Sequence, residues 1–210
     1  FDMVRVATYI HQVPAAMDIA QDALDKGYEV TLNLMAVSTI QEWELDEALD
    51  IFAESGAQAI YLSDSFGTFY AEQVEYLMRK YLRLAVPRGK VVGMHAHNNQ
   101  QLAFANTIEA IIQGANMLDA SMGGLGRGAG NCPLELLLGF LHNPRYQLRP
   151  VLGCIQEHIE PLRQELRWGF DIPYMITGVL NQHPRPAMQF NASEDRGNYV
   201  KFLDMMVEEE

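Results

Sequence analysis

Two histidines one residue apart, His95-Ala96-His97, close an apolar run at Lys90–Met94. If that run is a strand, side chains alternate faces, so His95 and His97 point to one side and Ala96 to the other. Two imidazoles side by side at a strand end are a natural pair of ligands for a divalent metal ion. A solvent-facing histidine next to a hydrogen-bonded core histidine would look the same, and both roles stay open at this point. Asn98 or Asn99 suits the N-cap of a following helix.

A second group is Ala120-Ser121-Met122-Gly123-Gly124-Leu125-Gly126-Arg127-Gly128-Ala129-Gly130-Asn131. Glycine at this density directly after a strand lets backbone approach a ligand closely, and its N–H groups could cradle a carboxylate or phosphate. A dinucleotide fingerprint should open a βαβ unit with an acid about 20 residues on; here the loop follows the last strand read, which argues against it. A mobile loop without a ligand is the plain alternative. Asn131 precedes Pro133, a good first-turn residue, so it is either an N-cap or a polar ligand. A third group, Ser63-Asp64-Ser65, could hold a substrate carboxylate after a strand, although Asp and Ser are also ordinary turn formers. Cys132 has no base partner at a readable spacing and fits a buried, inert thiol.

These residues need elements to position them. Strand-like runs at Met3–Ala7, Glu29–Met35, Gln58–Leu62, Lys90–Met94 and Met117–Ala120 begin about 26 to 32 residues apart, the spacing of βα units. Most are nearly continuous in apolar residues, as strands buried on both faces should be. Helical periodicity fills the gaps: Ala15–Lys26, a helix from the capping box Thr39-Ile40-Gln41-Glu42 to about Glu54, Ala71–Leu84 and Asn99–Gln113. Polar residues gather after each strand: Thr8, Asn33, Ser38, Ser63–Ser65, His95, His97, Asp119 and Ser121. A barrel recruits its site from several strand ends, whereas an open sheet concentrates it at one switch point. The fold expected is therefore α/β, the C-terminal part of a (β/α)8 barrel with about five βα units, occupying residues 1–142. Residues 143–210 read as a helical extension: Val151–Leu166, Ile172–Asn181 and a helix capped by Ser193, with a His183–Pro186 loop and a solvated tail at Glu208-Glu209-Glu210.

With 15 Lys and Arg against 27 Asp and Glu, the formal charge is −12, which argues against nucleic acid as a partner. No apolar run approaches the ~18 residues of a membrane span. Two cysteines match no zinc pattern and no disulfide framework, which suits a reducing cytoplasm. The chain opens on a strand-like run without an initiator Met, so we expect it to be the later part of something longer.

Together these runs resemble one family. His95-Ala96-His97-Asn98-Asn99, Leu102-Ala103-Phe104-Ala105-Asn106-Thr107, Ala110, Gly114-Ala115, Asp119-Ala120-Ser121 and the glycine loop through Asn131 are similar to the metal-dependent lyase and synthase superfamily that includes HMG-CoA lyase. Val4-Arg5-Val6-Ala7-Thr8 and Asp64-Ser65 add a resemblance to its 4-hydroxy-2-oxovalerate aldolase branch. The likeness covers residues 2–140 and thins beyond. It implies a TIM barrel in which His95 and His97 bind Mn²⁺ or Mg²⁺, with Asn131 at the metal as in the synthases and HMG-CoA lyase. It also implies a 2-oxo acid substrate held by Ser65, with Asp64 and His95 beside it. Tyr174, in Gly169-Phe170-Asp171-Ile172-Pro173-Tyr174, corresponds in shape to the aldolases' catalytic tyrosine.

The implied activity is cleavage of a 4-hydroxy-2-oxo acid to pyruvate and an aldehyde, or the reverse. A Claisen-type condensation of an acyl-CoA onto a 2-oxo acid is the alternative, although the Asn98-Asn99 and Gly128-Ala129-Gly130-Asn131 sequences favour the aldolase branch. A non-catalytic scaffold is the third reading. The family's first strand carries an Arg-Asp pair, the Asp being a metal ligand, and no such strand is found here. We therefore expect these 210 residues to be inactive alone and, through exposed strand edges, to aggregate or form a homodimer. The aldolase relatives suggest an acylating aldehyde dehydrogenase as a partner.

Overall fold

The computed structural model describes residues Phe1–Glu208, arranged as two compact units. The first unit comprises residues 1–65, 69–95 and 105–119; the second comprises 66–68, 96–104 and 120 onward.

The first unit is built on a five-stranded parallel sheet of β1 (Met3–Thr8), β2 (Glu29–Leu34), β3 (Ala59–Asp64), β4 (Val91–Ala96) and β5 (Met117–Leu118). The spatial order is β1-β2-β3-β4-β5, the same as the order along the chain. A doubly wound sheet would reverse its order at a switch point; sequential parallel βα units are the repeat of a (β/α)8 barrel. Helices α1 (Val13–Asp25), α2 (Glu42–Glu54), α3 (Ala71–Ala85) and α4 (Ala103–Gln113) form the crossovers. Each lies within a few residues of its expected position, because the helical period and the Gly and Pro stops are local signals.

Register shows what distinguishes the two sides of the sheet. Val6 pairs with Leu32 and Leu32 with Ile60, whereas Ala7 pairs with Asn33 and Asn33 with Tyr61. One face therefore carries Val6, Val30, Leu32, Leu34, Ile60, Leu62, Val92 and Met94, all buried. The other carries Arg5, Thr31, Asn33, Tyr61, Ser63, Gly93 and His95. As expected, β2 and β3 are buried on both faces over most of their length; the edge strand β1 differs, alternating exposed and covered residues.

The capping box of α2 also differs from expectation. Gln41 is its N-cap, and Gln41 N donates to Glu44 Oε2. Thr39 lies in a preceding 3₁₀ turn and donates its hydroxyl to Ala36 O at 2.9 Å, the local competition that Ser and Thr often offer.

The second unit adds α5 (Leu134–Leu141), α6 (Leu148–Cys154), α7 (Glu160–Leu162), α8 (Ile172–Val179), α9 (Arg185–Ala192) and α10 (Tyr199–Glu208). The single helix expected over 151–166 is interrupted by a π turn at Ile155–Ile159. Pro161 lies just beyond, after Glu160; it has no N–H to give and its ring crowds the carbonyl four residues back, so the helix widens there. The 183–186 loop is corrected at its end, since Arg185 opens α9 with Pro186 in the first turn, where Pro loses no hydrogen bond. Ser193 closes α9 through its hydroxyl bond to Phe190 O, and Asn198 caps α10 by accepting from Lys201 N. Ile176, Ala187, Phe190, Phe202 and Met206 form the core of these last helices, with the Phe190 and Phe202 rings 4.6 Å apart. Of the expected tail, Glu208 ends α10, and Glu209 and Glu210 lie outside the described residues. Among the described residues no helix is long and apolar enough to cross a membrane, and neither Cys132 nor Cys154 is in a disulfide.

Candidate functional site

In the first unit the polar face of the sheet gathers a charged cluster. Arg5, on β1, donates from both terminal nitrogens to the two carboxylate oxygens of Asp119, the Nη2–Oδ1 bond measuring 3.0 Å. Asp119 Oδ2 is also 2.9 Å from His95 Nδ1. β1 and β5 are the two edges of the sheet, and adjacent strands lie about 4.8 Å apart. Flat, the sheet would hold those edges too far apart for side chains to meet. It is therefore curled, and its polar face is concave.

Tyr61, on the central strand, fills the floor. The Arg5 guanidinium lies over the Tyr61 ring, 3.9 Å from its centroid. On β4, a Cβ at Gly93 would come within 2.4 Å of Tyr61 Cε1, so the ring can lie across that strand only because residue 93 is glycine.

Charge in this cluster is mutually supported. Burial works against the charged Asp119, but hydrogen bonds from His95 and Arg5 and the charge of Arg5 outweigh it, holding the carboxyl below the usual carboxylate range. Burial likewise opposes the Arg5 guanidinium and is outweighed by Asp119, which raises its pKa. Burial, then the Asp119 charge, raises the Tyr61 phenol.

The residues after β3 divide between two tasks. Asp64 is 1% exposed and its Oδ2 accepts from Phe69 N at 3.2 Å, so it braces the following turn. Ser65 Oγ accepts from Ala36 N at 2.9 Å and lies 3.3 Å from Ser63 Oγ. Of Ser65 and Asp64, which with His95 are expected at the substrate, Ser65 is the more accessible, and Ser63 lies on the concave face.

In the second unit the glycine loop pairs with residues 96–98. Asn98 N donates to Gly130 O at 2.9 Å, Cys132 N to Ala96 O at 3.2 Å, and His97 forms an antiparallel bridge with Asn131. Bridged residues carry their side chains on one side of the pair, so Asn131 stands beside His97 rather than capping α5, whose N-cap is Pro133. The Asn131 Nδ2 donates to Leu125 O at 3.1 Å, and its Oδ1 is buried with no hydrogen-bond partner. Cβ atoms at Gly126 and Gly128 would meet Asn131 Nδ2 at 2.5 Å and Tyr174 Cε1 at 2.6 Å. The loop's glycines therefore admit the two side chains expected at the site. Burial, foremost, raises the Tyr174 phenol. Asn98 caps α4 by accepting from Ala103 N at 3.1 Å, and Cys132 is fully buried.

A divalent cation can be tested against these groups. A carboxylate only accepts, so the bond to Asp119 requires a proton on His95 Nδ1; in the neutral ring the lone pair is then on Nε2, as a metal ligand needs. The unpartnered Asn131 Oδ1 is a second fitting donor. No cluster of three His, Cys, Asp or Glu that could hold a metal occurs among the described residues. Each unit thus offers a donor of the kind a divalent cation takes, His95 in the first and Asn131 in the second. Sequence patterning picks out the histidines and Asn131, and the family resemblance adds Tyr174, but neither groups Arg5, Tyr61 and Asp119. Their only signal was a charge at the middle of one strand and another just after a second.

Comparisons with known proteins place the fold in a family. The family model described as HMGL-like matches residues 5–154. A 4-hydroxy-2-oxovalerate aldolase of Bacillus cereus is 36% identical over 199 residues, which cover 90% of this chain and 58% of the relative. An oxaloacetate decarboxylase of Mycobacterium tuberculosis is 34% identical over 67% of this chain and 41% of its own length. Among solved structures, the N-terminal domain of a Bacteroides vulgatus protein described as an aldolase aligns with a TM-score of 0.77 and 31% identity, covering 93% of this chain and 65% of that one. The chain thus spans little more than half the length of the curated aldolase.

Proposed function

Because the chain belongs to the HMGL-like family, we propose that the intact protein is a divalent-metal-dependent carbon–carbon lyase. Its reaction is cleavage of a 4-hydroxy-2-oxo acid to pyruvate and an aldehyde, or the reverse. The observation that carries this reading is the His95 Nδ1–Asp119 bond, which leaves His95 Nε2 with the lone pair at the strand end from which His97 follows two residues later.

In this reading His95, His97 and the Asn131 amide oxygen hold Mn²⁺ or Mg²⁺. The cation, when bound, supplies Lewis-acid polarisation of the 2-oxo group. The protein's own groups do the rest. Ser65, with Ser63, offers hydroxyl donors to the substrate carboxylate, and Asp64 keeps their turn in place. Cleavage of the C3–C4 bond requires that a proton leave the 4-hydroxyl and that one be delivered to C3 of the pyruvyl fragment. Tyr174, whose raised pKa keeps its phenol protonated at neutral pH, is the residue assigned to proton delivery.

The similarity to an oxaloacetate decarboxylase favours a second reading, loss of carbon dioxide from a 2-oxo diacid. Both reactions leave an electron pair on C3 of the same pyruvyl fragment. The test is pyruvate release by metal-stripped intact protein given 4-hydroxy-2-oxopentanoate or oxaloacetate, with and without Mn²⁺. Mn²⁺-dependent pyruvate from the hydroxy acid, lost in His97→Ala, is the expected result. Release from oxaloacetate alone would move the assignment to the decarboxylase. Metal-independent release would overturn the metal dependence of this reading, and free CoA formed from acetyl-CoA and a 2-oxo acid would point to a Claisen synthase.

A further inference from the structure

The Arg5–Asp119 pair is more elaborate than holding two sheet edges together requires. It is bidentate, it is stacked on Tyr61, and one of its carboxylate oxygens is shared with His95. We propose that Asp119, held rigid by Arg5 over the Tyr61 ring, is the positioning residue that fixes the His95 tautomer and turns Nε2 toward the cation. This inference rests on the metal reading above.

Three features support it. The direction of the bond is forced, since an ionised carboxylate cannot donate and Nδ1 must therefore carry the proton. Asp119 itself is a poor candidate ligand, because Oδ2 already accepts from both Arg5 and His95 and Oδ1 accepts from Arg5. The anchor is built by parts with no other evident use. Gly93 leaves room for the Tyr61 ring, and the ring gives the guanidinium a face to lie on. Arg is suited to this because its planar fork matches both oxygens and stacks, which a Lys ammonium cannot do. Arg5 thus orients Asp119, and Asp119 orients His95.

The experiment is nitrogen NMR of the His95 imidazole in the intact, metal-stripped protein at a pH where the ring is neutral, with Mn²⁺ affinity measured alongside. In wild type the proton should reside on Nδ1. In Asp119→Ala it should move largely to Nε2, and Mn²⁺ should bind about 10–100-fold more weakly. A double variant, Arg5→Met with Asp119→Leu, removes the pair without leaving either charge buried and unpaired. It should show the same tautomer change in a folded protein.

A wild-type His95 protonated on Nε2 would overturn the inference. So would an unchanged tautomer in the double variant, or wild-type Mn²⁺ affinity in both variants. If wild type binds no Mn²⁺, the lyase reading and the cation half of this inference fall together, while the nitrogen shifts still decide whether Asp119 sets the tautomer.

Discussion

The two faces of the five-stranded sheet are made from alternate residues of the same strands. On one, Val30, Leu32, Leu34, Ile60, Leu62, Val92 and Met94 are buried to 1% or less; on the other, Arg5, Tyr61, Ser63, His95 and, just beyond β5, Asp119 face a concave surface. A shift of register by one residue would exchange the two sets. The apolar set therefore does more than stabilise. By fixing register it determines that His95 rather than Met94 meets Asp119. Substitution on the concave face is correspondingly expected to cost less stability than on the apolar face and to weigh more on chemistry.

Substitutions on the two faces sharpen this contrast. Leu32→Ala, on the fully buried face, should destabilise the fold by about 2–5 kcal/mol, the range for removing a packed leucine, as read by denaturant unfolding. Gly93→Ala on the concave face should cost about 1–3 kcal/mol, since the new methyl must displace the Tyr61 ring. The same unfolding curves check it. Tyr61→Leu removes the surface under Arg5 and should lose a further contribution of about 0.5–2 kcal/mol, which a double-mutant cycle with Arg5→Met isolates.

The smallest effect belongs to an ion pair outside both faces. Lys80, on α3, meets Glu42 at 2.9 Å and Asp46 at 2.7 Å, and its pKa is raised; burial opposes the charge and the two carboxylates outweigh it. A raised lysine contributes stability that is complete below the unfolded value near ~10.4 and is lost as pH rises through the folded value. Lys80→Met should therefore change neutral stability by less than about 1 kcal/mol and remove the alkaline decline that this pair causes, as seen in melting temperature against pH. Unfolding of the protein by Lys80→Met would contradict this ordering.

Much of the frame was legible because it is local. Five strand positions follow from apolar runs at βα spacing, and Gly27, Gly56 and Gly114 mark the ends of α1, α2 and α4. The errors arose where one side chain could serve two neighbouring roles. Thr39 and Ser193 both have cap chemistry, yet each spends its hydroxyl on a carbonyl three residues back, and Gln41 and Asn198 cap instead.

The site was legible only in part. His95 and His97 are readable from spacing of two along a strand, and Asn131 from its place at the end of the glycine loop. Arg5 and Asp119 are 114 residues apart, and they meet because the sheet curls. No local pattern encodes that. Gly93 likewise reads as a weak point in a strand until Tyr61 is seen lying across it.

In the proposed reading the concave face carries the chemistry and the apolar face the fold. Mn²⁺-dependent pyruvate release per folded molecule, measured in intact protein for His95→Ala and Leu32→Ala, separates the two. His95→Ala should be folded to near wild-type stability and inactive, and Leu32→Ala should be much less stable yet active in the fraction that remains folded. A folded His95→Ala protein that releases pyruvate at the wild-type rate would contradict that reading.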